Sequence, residues 1–146
     1  MKLRVVIDTN IWIRILLKGR VTLPVLEAFN QDKFQLVMSQ NLFDELHEVW
    51  NRPRLSKYID LTQAMRLEQQ LTNRAIWIEP KTIPPYCRDP KDLPVLATAI
   101  DGKAKIIVSV DDDLRADETL RETIALHAIE LLGVNSFLKY LEESEE

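Results

Sequence analysis

The chain has 146 residues, 46% of them apolar and 29% charged, with a formal net charge of −4 at pH 7. That length suits one domain with a core of its own, and the single cysteine, Cys87, excludes an internal disulfide and fits a reducing cytoplasm. The net charge does not exclude a polyanion partner, because Glu142, Glu143, Glu145 and Glu146 carry four of the negative charges and leave the remainder neutral.

The first element is a strand, Val5-Val6-Ile7, apolar on both faces as a central strand of a parallel sheet is. Asp8-Thr9-Asn10 follows at once, and Ile11, Trp12, Ile15 and Leu16 then recur at helical spacing. Asp8 thus stands at the carboxyl end of a central strand, where open α/β sheets bind their ligands. Asp8 or Thr9 reads equally well as the cap of the helix. Lys18-Gly19-Arg20 reads as a turn with Gly19 as the stop, and Thr22 as the cap of a short helix carrying Val25, Leu26 and Phe29. Phe34 to Met38 is a second strand, ended by Ser39, which is positioned to cap a helix from Gln40 to Trp50. Arg52-Pro53 breaks that helix. A short helical piece from Arg54 to Ile59, a helix from Leu61 to Arg74 and a third strand at Ala75 to Ile78 follow.

Glu79 to Arg88, with three prolines, reads as an irregular loop. A helix from Asp92 to Asp101 ends at Gly102, Lys105 to Ser109 is a fourth strand, and the three aspartates Asp111 to Asp113 read as a solvated turn. Thr119 to Leu126 is read as helix, Ile129 to Leu132 as a last strand, and Asn135 to Leu141 as an amphipathic helix. Strands alternating with helices predict an α/β fold with a mainly parallel central sheet flanked by helices. Residues 1–141 are expected to form one domain and 142–146 a solvated acidic tail. No stretch approaches the apolar length of a membrane span, and the first residues read as a strand rather than an export signal, so a cytoplasmic protein away from the membrane is expected.

Taken singly, each further acid has an ordinary reading. Glu45 falls at the border of the apolar face formed by Leu42, Phe43, Leu46, Val49 and Trp50, whereas Asp44 and Glu48 fall on the solvent side. Asp89 and Asp92 precede the apolar run Val95 to Ile100, and Pro94 favours a helix start near Asp92. Asp111 follows the strand that ends at Ser109 by two residues, close to the placement of Asp8. Taken together, these acids converge on one end of the sheet, where several carboxylates cannot all stay ionised without a cation. Hard oxygen ligands with no histidine or cysteine cluster point to Mg²⁺ or Mn²⁺ rather than zinc. His47 is read as a surface residue, and His127, in a turn, has no assigned role.

The order strand-Asp8-Thr9-Asn10, then Ser39-x5-Glu45, then Asp89-Pro-x-Asp92 before a helix, then strand-Ser109-x-Asp111 resembles the PIN domain. It is closest to PIN-family toxins of bacterial and archaeal toxin–antitoxin systems, relatives of the VapC toxins. The resemblance runs from Leu3 to about Leu141 and implies a three-layer α/β/α fold and a Mg²⁺- or Mn²⁺-dependent endoribonuclease. By that resemblance Asp8, Glu45, Asp92 and Asp111 match the four acidic, metal-binding positions, and Asp89 and Asp113 match accessory acids. Thr9, Asn10 and Ser109 match polar positions that orient the acids or the attacking water. The stretch from Ile129 to Leu138 matches the closing strand and the start of the last helix. Val110 departs from a usual glycine, Asp112 adds a charge, and His127-Ala128 replaces a turn that usually contains glycine.

The resemblance also implies RNA as substrate and a small antitoxin as partner. Arg14, Lys18, Arg20, Arg52, Arg54 and Lys57 are candidates for phosphate contacts, against an ordinary reading as surface charges. The apolar residues from Leu26 to Phe29 and from Ile59 to Leu71 read either as plain core or as a surface for a homodimer or an antitoxin. Two rival classes are a catalytically silent RNA-binding or scaffolding PIN domain and an aspartate-based phosphotransfer domain. The second has no aspartate two residues from Asp8, no matching lysine after a late strand, and no use for Glu45.

Overall fold

Strand pairing sets the architecture. In a computed structural model that describes residues 2–82 and 92–144, β1 (Arg4–Ile7) lies between β2 (Gln35–Met38) and β4 (Ile106–Val108). The strands β3 (Ile76–Trp77) and β5 (Glu130–Leu132) form the edges, giving five strands in the order β3-β2-β1-β4-β5, all parallel. Every residue of β4 and the last three of β1 are at most 2% exposed. Both central strands are therefore covered on both faces, as their unbroken apolar runs require.

Nine helices among the described residues complete the chain: α1 (Thr9–Leu16), α2 (Leu23–Asn30), α3 (Gln40–Trp50), α4 (Pro53–Ser56), α5 (Leu61–Arg74), α6 (Leu93–Asp101), α7 (Asp112–Ala116), α8 (Glu118–Ala125) and α9 (Val134–Ser144). The chain steps one way across the sheet from β1 to β3 and the other way from β4 to β5. Right-handed crossovers then put the two sets of connecting helices on opposite faces, which makes three layers. The helix α6 lies across β1, β2 and β4. A chain of aromatic contacts, Trp12 to Phe29 to Phe34 to Phe137, ties α1, α2 and α9 together.

Several expectations are corrected. The aspartate run is exposed at Asp111 and Asp112, as a solvated turn would be, but it opens a helix. Asp111 accepts the Leu114 N–H through Oδ1 at 3.2 Å and so starts α7. The last helix runs past Leu141 to Ser144, through Glu142 and Glu143. His47 keeps part of the surface position read for it, with its side chain 29% exposed, and the Glu68 side chain of α5 reaches over it. Its ring packs between Phe43 and Trp50, and Nε2 faces Glu68 Oε2 at 3.2 Å. Thr22 occupies a cap position, but its hydroxyl donates back to the Gly19 carbonyl at 3.2 Å instead of capping α2.

Gly102 is the C-cap of α6, as read from sequence, whereas α1 ends at Leu16 with Leu17 as its cap, ahead of Gly19. Among the described residues, those that take the left-handed conformation are Lys18, Asp32, Lys103 and Ala128, with φ between 54° and 64°. In each case the next N–H returns to a carbonyl five residues back, as Gly19 does to Arg14 at 2.8 Å and Ile129 to Ile124 at 3.1 Å. Gly19 and Gly102 sit beside these positions and serve close approach. A Cβ on Gly19 would lie 3.0 Å from the Arg14 carbonyl oxygen, and one on Gly102 would lie 2.7 Å from that of Thr98 and overlap Val37.

Ala128→Gly is accordingly expected to stabilise the protein by about 1 kcal/mol, since an L side chain at φ > 0 is strained. In thermal melts this is a Tm rise of about 2–4 °C for a chain of this size. Gly102→Ala should lower Tm, with a cost of about 1–3 kcal/mol for overpacking against Val37.

Candidate functional site

Ile7 pairs with Val108, and Val108 with Leu132. The next residues, Asp8, Ser109 and Gly133, therefore stand abreast at the carboxyl ends of β1, β4 and β5. The chain leaves β1 toward β2, while β4 pairs on its other flank, so this is the point where the strand order reverses and a crevice opens.

Asp8 has an extended backbone, and its N–H donates to the Val108 carbonyl at 3.0 Å. It occupies the N-cap position of α1 without closing a side-chain cap bond. Its Oδ2 instead accepts the Ser109 hydroxyl at 3.2 Å. Ser109 is fully buried, and its oxygen also receives the Asp111 N–H at 3.0 Å. One hydroxyl thus joins two of the acids. Burial pushes the Asp8 carboxyl above its ordinary pKa. The Ser109 hydroxyl and the backbone N–H groups of Asn10 and Thr9 pull it back, and the Asp111 charge pushes it further up.

Glu45 reaches the same end from α3. It is half-buried between buried Leu42 and Leu46 and the exposed pair Asp44 and Glu48, the border position its helical phase predicts. Its Oε2 accepts the Thr9 hydroxyl at 3.2 Å. Burial raises its pKa first, the Thr9 bond opposes this, and the charges of Asp8 and Glu48 add to the rise, with Arg52 pulling down. Asp8, Thr9, Glu45, Ser109 and Asp111 are therefore in one electrostatic neighbourhood.

Asp92 stands at the N-cap position of α6 without a side-chain cap bond. It lies at the start of a helix that descends from the carboxyl end of the sheet. Ser39 does not cap α3 with its side chain. It is fully buried, with Oγ 2.8 Å from Thr98 Oγ1 on α6. Thr98 spends its one proton on the Pro94 carbonyl at 2.6 Å, so Ser39 is the donor. This pair ties the middle of α6 to the end of β2. Thr98 escaped the sequence reading, although a hydroxyl inside the apolar run from Val95 to Ile100 was the available signal. Asn10 contributes its backbone N–H, and its side chain is exposed.

The six cationic candidates are all exposed. Arg52 pairs with Glu48 at 3.0 Å and lies within electrostatic reach of Glu45. Lys57 covers the Tyr58 ring, with Nζ 5.2 Å from its centre. Arg14, Lys18 and Arg20 sit toward the far end of α1, where ten residues of helical rise put Lys18 roughly 15 Å from Asp8. Lys18 lines a groove of about 410 Å³ between α1, α2 and α5 instead. Asp89, Cys87 and the side chain of Asp113 lie outside the described residues. Among the described residues no group of three or more His, Cys, Asp or Glu side chains is gathered tightly enough to enclose a metal ion by itself.

A parallel sheet whose strand order reverses beside a half-buried, charge-crowded aspartate defines an open α/β chain with an acidic switch point. Within that class the chain belongs to the PIN domain family, a nuclease-type fold, whose model matches residues 4–113. The match runs from β1 to the start of α7 and stops short of β5 and α9. The chain is also similar to an uncharacterized protein of Methanocaldococcus jannaschii, MJ1680, with 26% identity over 147 residues that cover 99% of this chain and 94% of that one. Among the described residues no helix is long and apolar enough to cross a membrane.

Folding raises the Asp8 pKa above its unfolded value. Ionised Asp8 therefore opposes folding at pH above that raised value, and the opposition fades as pH falls through it. In metal-free protein Asp8→Asn is expected to raise Tm at neutral pH, by a margin that shrinks on acidification, as melts across a pH series would record. Ser39→Ala should lower stability by about 1 kcal/mol at any pH, through loss of the Thr98 bond.

Proposed function

We propose that this PIN-domain protein is an endoribonuclease that hydrolyses RNA phosphodiesters with Mg²⁺ or Mn²⁺, and that it acts as the toxin of a toxin–antitoxin pair. The observation that carries the reading is Asp8. Its carboxylate is held at the switch point, pushed up in pKa by burial and by Asp111, and met by hydroxyl and backbone donors. Among the described residues neither Asp8 nor Glu45 sits in an ion pair. Such a site carries more negative charge than its donors neutralise, which suits a divalent cation. Mg²⁺ in particular keeps several waters and needs only one or two carboxylates from the protein.

In this proposal Asp8 is the central ligand, with Glu45, Asp92 and Asp111 completing the set directly or through water. When bound, the cation supplies Lewis-acid polarisation of the phosphodiester and of the attacking water. The protein's own groups fix the geometry. Ser109 holds the Asp8 carboxylate and the Asp111 backbone on one oxygen, Thr9 holds Glu45, and Ser39 with Thr98 ties α6 to the end of β2. Asp89 and Asp113 act as accessory acids, and Asn10 lends its N–H to Asp8. Arg52, which acts on Glu45, is the phosphate contact at this end, with Arg14, Lys18, Arg20, Arg54 and Lys57 as further candidates along the strand's path. The partner expected for a toxin is a small antitoxin protein, and a homodimer of the toxin is the companion assembly.

Cleavage of a mixed set of labelled RNAs tests the reading. Wild-type protein with Mg²⁺ or Mn²⁺ should cut and stop cutting in EDTA, and Asp8→Asn should lose at least about a hundredfold in rate, ~2.7 kcal/mol of transition-state stabilisation. Equal cutting by both proteins would mark a contaminant. Metal and RNA binding without cutting would favour the silent scaffold. Added Mn²⁺ should raise the Tm of wild type and leave Asp8→Asn nearly unmoved.

A further inference from the structure

The row formed by Asp8, Ser109 and Gly133 ends at a residue that the site above does not use. Neighbouring strands are about 4.7–4.9 Å apart, so Gly133 lies two spacings, roughly 10 Å, from Asp8. The space over its Cα is occupied by the guanidinium of Arg115. A Cβ placed on Gly133 would overlap Nη1 and come within 3.1 Å of Cζ. Arg115 reaches that seat from α7, where its N–H bonds the Asp111 carbonyl at 3.1 Å, one helical turn from the acid of the site. Arg121 donates through Nε to the Arg115 carbonyl and steadies the end of α7.

Two details mark the guanidinium as more than a strap. Its Nε is buried and has no hydrogen-bond partner among the described residues. Its one ion pair among the described residues, from Nη2 to Asp112, is with a carboxylate that is 89% exposed. An exposed pair of this kind is worth about 0–1 kcal/mol and exchanges readily for a better anion. A phosphate offers a guanidinium two parallel hydrogen bonds, the geometry for which arginine is suited. The six basic residues read from sequence lie on α1, in the turn after it, and around the α3–α4 junction. Arg115 stands on the opposite side of Asp8, toward β5.

Resting on the reading of this crevice as a ribonuclease site, we propose that Arg115 is a phosphate clamp for single-stranded RNA. It grips a phosphate adjacent to the one at Asp8, on the β5 side, with Gly133 kept free of a side chain to seat it. At roughly 10 Å from Asp8 the guanidinium binds and aligns the strand and takes no part in bond breaking.

The test measures equilibrium binding of a labelled single-stranded oligoribonucleotide of mixed sequence in EDTA, in an Asp8→Asn background that does not cut. Arg115→Ala should weaken binding about tenfold, the loss of one charge-assisted hydrogen-bonded contact. The slope of log Kd against log salt should become shallower by about 0.7, one phosphate contact on a single strand. Gly133→Ala keeps the charge but displaces the guanidinium, which is the flexible end of its side chain, so it should fold normally and weaken binding in the same sense. Arg115→Lys should keep most of the salt slope and lose part of the affinity. An unchanged Kd and salt slope for Arg115→Ala, with a lowered Tm, would overturn the clamp and leave a structural strap between α7 and β5. Wild-type binding by Gly133→Ala would also overturn it, as would no measurable RNA binding by Asp8→Asn. Wild-type protein that binds RNA but cuts none with Mg²⁺ or Mn²⁺ would defeat the nuclease reading alone, and the binding comparison would still decide the clamp.

Discussion

The parallel pairing of β1 with β4 is the constraint on which every candidate position depends. Residues a hundred apart in the chain are brought abreast by it, and the 3.0 Å bond from Asp8 N–H to the Val108 carbonyl fixes their level. Once Ile7 faces Val108, Asp8 has Ser109 beside it and Asp111 just beyond. A slip of one residue would turn every side chain of either strand to the other face and pull the Ser109 hydroxyl away from Asp8. The buried valines and isoleucines of these strands therefore hold the site as well as the core.

Around that pairing, hydroxyl groups do what charged partners would do elsewhere. Ser109 serves Asp8 and Asp111, Thr9 serves Glu45, and Ser39 reaches Thr98. Hydroxyls fix a carboxylate without neutralising it, so the acidic end keeps its negative charge. The helix caps tell the same story. Asp60 and Asp117, away from the crevice, bond the N–H groups of their own helices. Ser39 and Asp92 occupy equivalent positions with no side-chain cap bond, while Asp8 keeps only the weaker pull of the Asn10 and Thr9 N–H groups and gives its main bond to Ser109. Each forgone cap leaves about 1 kcal/mol of helix stabilisation unused, an inconsistency between local preference and fold of the sort found at functional sites. Asp111 combines both tasks, since Oδ1 caps α7 while its N–H rests on Ser109.

Part of the architecture supports function only indirectly. The helix α5 packs against α3 through His47 and Glu68, next to the half-buried face that carries Glu45. The left-handed helix ends at Lys18, Asp32, Lys103 and Ala128 show that tight turns after helices are met here by ordinary residues under strain, three of them on the way back to the sheet. Glycine is reserved for places where backbone or a guanidinium must come close.

The sequence by itself determined what depends on a residue's own neighbours. The apolar run of β1 marked it as doubly covered, helical phase put Glu45 on the border with Asp44 and Glu48 outside it, and the limits of α3 and α5 were readable to the residue. The order of acids and strand ends was enough to suggest the family. Only the tertiary structure decided which of two uses each polar group serves. It turned Asp8 from its own helix to Ser109, 101 residues away, and Ser39 from its own helix to Thr98, 59 residues away. It also brought Glu68 of α5 over His47, made a helix of the aspartate run, and laid Arg115 over Gly133. The reason is physical. Periodicity and cap chemistry encode whether a side chain faces in or out, whereas a polar group's partner is fixed by strand register and helix crossing. Those are set by the packing of the whole core.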